Sequence, residues 1–199
     1  MKLLSTPEDA LEAFQQACVQ TNSPRELFMV NRMDGSEELK RDLLGLYKDP
    51  KKNLKARPKV RFEGEEGVGV GPIREFFVCA LKIPQEGIHG EGRPIVFFEG
   101  ERDHLLPIHN QVVQQMGAFT CIGRIIGHSI LHGGPGLQGL SPVAKHYWSH
   151  EDLASNPPPI ELEDIPDYNL REAVQEVCSL VHFPVHRILC QINRTCRQS

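Results

Sequence analysis

Apolar positions recur along the chain at helical spacing in some stretches and at strand spacing in others. Leu11, Phe14 and Cys18 share one side of a helix predicted over about 7–19, and that side needs a partner surface. Thr6 is placed to cap it, Pro7 sits where a missing N–H costs nothing, and Glu8 and Asp9 complement the helix dipole. Asn22-Ser23-Pro24 breaks the pattern, and 27–32 (Leu-Phe-Met-Val-Asn-Arg) reads as a short strand. Asp34 and Glu37 have the spacing of a capping box for a second helix, whose apolar stripe is Leu39, Leu43, Leu46 and Tyr47. A loop ending at Pro58 leads into 59–63, where Val60 and Phe62 alternate onto one side of a strand.

A glycine-rich turn (64–72) and a helix from about Pro72 to Ile83 come next, with 84–93 as loop. The apolar run 94–99 is predicted as a buried strand. Asn110 can cap one long helix over 111–132, apolar around most of its circumference and therefore central. Gly117, Gly123 and Gly127 inside it each cost about 1 kcal/mol in helix propensity, a loss that close approach of neighbouring backbones is expected to offset. Gly133-Gly134-Pro135-Gly136 ends that helix, and Ser141-Pro142 starts another carrying Val143, Ala144, Tyr147 and Trp148. Asn156-Pro157-Pro158-Pro159 is a linker. Asp167 caps a last helix bearing Leu170, Ala173, Val174, Val177 and Val181, which Pro184 should break. The pattern predicts an α+β fold, mainly helical with short strands. It divides into an N-terminal helix and linker (1–26), a main domain (27–183) and a tail without a predicted shape (184–199).

Composition narrows the partners. The formal net charge is −4, so no overall field draws the chain to nucleic acid or to an anionic membrane. The exception is local: Lys48, Lys51, Lys52, Lys55, Arg57, Lys59 and Arg61 are interrupted only by Asp49. Such a run could attract an acidic partner, although solvated surface is its commoner role. No apolar stretch approaches the roughly 20 residues of a membrane span, and the N-terminus lacks a secretory pattern. The expected location is cytoplasm or nucleus, with the six cysteines as reduced thiols in no metal or redox spacing.

The glycine turn follows a strand and opens a helix, an order that can cradle a phosphate. Gly67, Gly69 and Gly71 do not make the dinucleotide fingerprint, however, and Pro72 removes a donor, so a structural turn is the favoured reading. Arg74 and Glu75 are expected to form an ion pair that holds this turn. Cys178, His182, His186 and Cys190 fall every fourth residue and could grip zinc, but Pro184 interrupts the helix that would align them. No metal and no cofactor is therefore assigned. Asp103, His104 and His109 lack a nucleophile beside them and are expected to tie the strand-to-helix connection.

The segment from Val60 to Val68 (Val-Arg-Phe-Glu-Gly-Glu-Glu-Gly-Val), followed by Gly71-Pro72-Ile73-Arg74-Glu75-Phe76-Phe77, resembles the entry motif of HECT-type ubiquitin ligase domains. Three further segments are similar to that family, in the same order. They are 28–32 as its first strand, 123–132 as its central helix, and Asp164-Ile165-Pro166-Asp167 as the start of its next helix. The resemblance covers roughly 28–181 and is nearest the G2/M phase-specific ligase subgroup. It departs at Gly69, where many members carry Asp, and at Val70, where they carry a small residue.

The resemblance implies the large subdomain of a HECT N-terminal lobe, in which the turn and the Arg74-Glu75 helix start are architectural. The family passes ubiquitin from a conjugating enzyme to a ligase cysteine as a thioester, then to a substrate lysine. Its partners are a ubiquitin-conjugating enzyme and substrate proteins. The lobe that carries the acceptor cysteine is expected to be missing here. Thr195-Cys196 imitates the family's Thr-Cys, but the residues after Pro184 cannot build a pocket for a thiolate. Cys196 is thus expected to be a free thiol, and no catalytic residue is assigned. Two other readings stand beside this one: a non-catalytic interaction module derived from a HECT domain, and a small-molecule enzyme using the glycine turn.

Overall fold

The computed structural model describes residues 6–67, 69–89, 92, 94–150, 156, 158 and 160–181. The chain is α+β and mainly helical, and it divides into two compact units. One comprises residues 1–97 and 110–137, the other 98–109 and 138–199, so the boundaries fall inside the stretch 27–183.

The first unit is organised by helix α1 (Pro7–Cys18), strand β1 (Glu26–Val30), helix α2 (Ser36–Lys48), strand β2 (Pro58–Phe62) and helix α3 (Val70–Glu86). β1 and β2 pair in parallel, with Phe28 opposite Val60 and Val30 opposite Phe62, and α2 is the crossover between them. Period-two alternation sends Phe28, Val30, Val60 and Phe62 into the core and leaves Leu27, Met29, Lys59 and Arg61 outside. α2 and α3 cover the inner face of the sheet, and both pack on helix α5 (Ala118–Leu131).

Several local expectations hold. The Thr6 hydroxyl accepts from the Asp9 N–H, 3.1 Å away. Val60 and Phe62 share the buried side, as their alternation required. Others fail for identifiable reasons. Asp34 does not cap α2: its carboxylate accepts from Asn31 Nδ2, and the N-cap is Gly35 at φ 107° with no side-chain bond. In the stripe of α2, Leu44 is buried where Leu46 is only half-buried. Leu11 and Phe14 find no covering surface, for α1 buries no residue, and Gln15 Nε2 ties it to the Ile130 carbonyl at 2.7 Å. Helix α3 starts two residues before Pro72 and runs through Pro84 into its last turn. Gly87 ends it at φ 76°, where an added Cβ would lie 2.3 Å from the Ile95 carbonyl oxygen.

The single long helix over 111–132 is two helices. Helix α4 (Gln111–Gln115), capped by Asn110 as expected, stops before Gly117, which adopts φ 66° and starts α5 in a new direction. Val112 and Met116 are consequently exposed. Gly123 and Gly127 have open space where a Cβ would stand, so their expected role in close backbone packing is not realised.

The second unit holds strand β3 (Phe98–Glu99), strand β4 (Leu106–Pro107), helix α6 (Pro142–Ser149), a 3-10 turn (Leu162–Asp164) and helix α7 (Tyr168–Val181). β3 and β4 form an antiparallel ladder of two residues each. The strand expected over 94–99 is therefore mostly absent. Ile95 makes only an isolated bridge with Ile88, and Val96 is exposed. Ser141 caps α6 by accepting from the Val143 N–H at 2.9 Å, and Asp167 caps α7 by accepting from the Leu170 N–H at 2.8 Å.

Candidate functional site

Buried polar side chains gather at two places, one in each unit. In the first unit, side chains from β1, α2, α3 and α5 meet although they lie far apart in the chain. Phe28 of β1, Phe76 and Phe77 of α3, and His128 of α5 join Tyr47 of α2 in one buried cluster, each 1% exposed or less. Phe28 lies 5.1 Å from Phe76 and 5.0 Å from His128, ring centroid to ring centroid, and Phe77 stands nearly perpendicular to His128 at 5.0 Å. The Tyr47 hydroxyl is 2.8 Å from His128 Nδ1. With the hydroxyl donating, the imidazole proton resides on Nε2, which has no hydrogen-bond partner among the described residues.

Electrostatics make this cluster inert rather than reactive. Burial, followed by the charges of His132 and Arg124, pushes the His128 pKa down to about 3, so the ring is neutral. Burial also raises the Tyr47 hydroxyl well above its ordinary value. His132 is lowered by burial too, while its Nε2 donates to the Leu54 carbonyl at 2.9 Å. A buried histidine with one satisfied nitrogen and aromatic walls has no route to a substrate, so it serves packing.

The glycine turn sits on the surface of this unit. Arg32, just past β1, forms ion pairs with Glu65 of the turn and with Glu75 of α3. Its guanidinium also lies 4.7 Å from the centroid of the Phe62 ring. Hydrogen bonding to Glu65 raises the Arg32 pKa. The clamp that holds the turn is thus Arg32 with two glutamates. Arg74 is exposed and is not part of it, which corrects the expected Arg74–Glu75 pair. Nearby, Lys40 is only 3% exposed, with Glu86 Oε2 at 2.8 Å and Glu37 Oε1 at 3.0 Å, and it links α2 to the end of α3. Nothing in the spacing of the apolar stripe marked Lys40 as buried. The signal was the pair of glutamates, one of them 46 positions away.

In the second unit, Asp164 is the centre. Its Oδ1 accepts from the Ser141 hydroxyl at 2.6 Å and lies 2.9 Å from His104 Nδ1, and its Oδ2 accepts from the Glu161 N–H at 2.8 Å. Serine, histidine and aspartate are together here, yet not as a catalytic triad. In a triad the imidazole stands between hydroxyl and carboxylate and takes the proton. Here the carboxylate stands in the middle, and Ser141 is held by both Asp164 and its own helix cap. His109 is exposed and does not join the cluster, and neither does Asp103.

Two of the described cysteines are the reverse of activated, and a third is buried. Burial pushes the thiols of Cys79 and Cys121 up, opposite to what a nucleophile needs, and Cys178 is buried in α7. His182, His186, Cys190 and Cys196 lie outside the described residues. Among the described residues no group of three or more ligating side chains could hold a metal ion. Nor is any helix there long and apolar enough to cross a membrane. A scan against family models matches none, and a search of curated proteins finds no match.

Proposed function

We propose that this chain is a HECT-type N-terminal-lobe scaffold, the part of a ubiquitin ligase that positions other parts rather than forming the thioester. One observation carries the reading. Three of the four segments that resemble the family, 28–32, 60–77 and 123–132, supply Phe28, Phe76, Phe77 and His128 to a single buried cluster, and the fourth, 164–167, lies in the other unit. A motif set that served a mobile or catalytic loop would not converge on a core. The Arg32 clamp on Glu65 and Glu75 agrees with an architectural turn. Pro72 in the first turn of α3 argues against the alternative of a nucleotide-binding enzyme, since it removes a donor that a phosphate would use.

A chimera tests this. Residues 27–183 replace the equivalent subdomain of an active HECT ligase, which keeps its own conjugating-enzyme segment and catalytic lobe. Ubiquitin transfer by the chimera is the expected result, with none by the 199-residue chain alone. A chimera that melts cooperatively but transfers nothing overturns the proposal. Capture of a charged conjugating enzyme by the chain, without transfer in either format, favours the interaction-module reading instead.

A further inference from the structure

The basic run is a sequence feature that the scaffold reading leaves unused, and the fold places part of it on a definite surface. Of its seven cations, Lys52 is engaged at home: its Nζ donates to Glu26 Oε1 at 2.9 Å and to the Leu27 carbonyl at 2.8 Å. Lys51, Lys55, Arg57, Lys59 and Arg61 are exposed and paired with no carboxylate among the described residues. In a chain of net charge −4, Lys59 and Arg61 left unneutralised among the described residues give the outer face of β2 a positive potential.

The patch also has an apolar row. In the parallel register Leu27 stands beside Lys59 and Met29 beside Arg61, all four on the outer face of the β1–β2 sheet. Leu27 is 39% and Met29 50% exposed. The outer face is therefore two adjacent rows, aliphatic along β1 and cationic along β2, each repeating every second residue.

We propose that this face docks an extended, acidic segment of a partner protein, in which carboxylates alternate with aliphatic side chains. An extended chain lying along the seam sends successive side chains to opposite sides, with the same two-residue repeat as the sheet. Its aliphatic positions then cover Leu27 and Met29, and its carboxylates meet Lys59 and Arg61, with Arg57 at the end of the row. A helical partner has the wrong repeat. Single-stranded nucleic acid would use the cations but would want aromatic side chains to stack on, and the face offers a leucine and a methionine instead.

The test is a titration of the full chain with a short labelled peptide in which glutamate alternates with leucine. Polyglutamate of equal length and an oligothymidylate of equal charge are run in parallel. The alternating peptide should bind best, and binding should weaken as salt is raised. Joint substitution Lys59→Gln and Arg61→Gln should cost about tenfold or more in affinity, mostly through slower association. Leu27→Ser with Met29→Ser should cost several-fold while the salt dependence persists. These side chains point outward, so circular dichroism should show each variant folded; single substitutions at Lys59 and at Leu27 serve if a pair does not fold. Polyglutamate binding as well as the alternating peptide, a tighter oligothymidylate, affinity unchanged by either substitution, or no binding at all each overturns the proposal.

Discussion

In the first unit the most deeply buried side chains are rings: Phe28, Tyr47, Phe76, Phe77 and His128, packed edge to face and tilted against one another. In the second unit the buried apolar side chains among the described residues are small or few, namely Leu140, Ala144, Val174 and Cys178. A carboxylate, Asp164, holds the centre there. One unit is stabilised by non-directional burial of large aromatic surface, the other by directional bonds to a single charged group. Packing of the first kind spreads its free energy over many contacts, whereas a polar hub concentrates it at one residue. The first unit should therefore respond to the loss of any one of several rings, and the second chiefly to the loss of one carboxylate.

The largest expected effect is in the aromatic cluster. Phe76→Ala should destabilise the first unit by about 3–5 kcal/mol, the sum of lost transfer energy and a cavity that the ring neighbours cannot close. Urea melts followed by far-ultraviolet circular dichroism measure it. Trp148, the chain's one tryptophan, lies in the second unit, and its fluorescence reports that unit separately. A coincident shift of both signals would mean that the units unfold together and that the contrast between them is not energetic.

Next is Asp164→Ala, at about 2–4 kcal/mol, because it strands the Ser141 hydroxyl, His104 Nδ1 and the Glu161 N–H at once. It should move the Trp148 transition more than the dichroism transition. Asp164→Asn keeps an acceptor oxygen and should cost less. Equal costs for Asn and Ala would show that the charge, not the bonding geometry, is what the hub supplies.

The third prediction concerns pH. The folded pKa of His128, about 3, lies below the ordinary histidine value, so the unfolded chain binds the extra proton first as pH falls. The stability this neutral ring contributes is intact above about pH 6.5 and declines on acidification toward pH 3, with a slope approaching 1.4 kcal/mol per pH unit. His132, also lowered, acts in the same sense. Glu37, held down to about 2 by the His89 N–H and by Lys40, adds a loss of the same sign only below the ordinary carboxylate range. His128→Phe should flatten the profile between pH 7 and 5, while a variant as pH-sensitive as the parent would remove His128 from the account.

The smallest effect belongs to the surface. Arg32→Ala should leave global stability nearly unchanged, since its ion pairs are solvent-exposed. It should nevertheless speed amide exchange in the turn before α3, because Glu65 and Glu75 lose their common partner. Unchanged exchange there would mean that the turn is held by its backbone alone.

Much of the local structure was legible because its causes are local. Thr6, Ser141 and Asp167 each cap the helix that the sequence assigned to them, and Asn110 caps the first of the two helices that replace the long one, each through a bond spanning two or three residues. The alternation of Val60 and Phe62 likewise required nothing beyond the strand itself. Where the reading failed, an equally plausible local pattern met a competing constraint. Asp34 had the capping-box spacing, but Asn31 captured its carboxylate. The apolar run over 111–132 had helical periodicity throughout, but the left-handed conformation at Gly117 split it. Apolar spacing on α1 predicted a covered face, yet Leu11 and Phe14 on that face stay exposed.

The candidate sites were legible only as ingredients. His104, Asp164 and Ser141 were all visible, yet 60 and 23 positions separate the partners that meet. Arg32 reaches Glu65 and Glu75 across 33 and 43 positions, and the sequence offered Arg74 as the nearer cation. By itself the sequence determined the mixture of helices and short strands, the side-chain caps of α1, α4, α6 and α7, and the two-residue repeat that sorts β1 and β2 into inner and outer faces. Only the tertiary structure decided which charges meet, which histidine is buried and neutral, and which cations are left free. Capping and periodicity act within a turn or two of backbone, whereas ion pairs and burial depend on distances set by the whole packed chain.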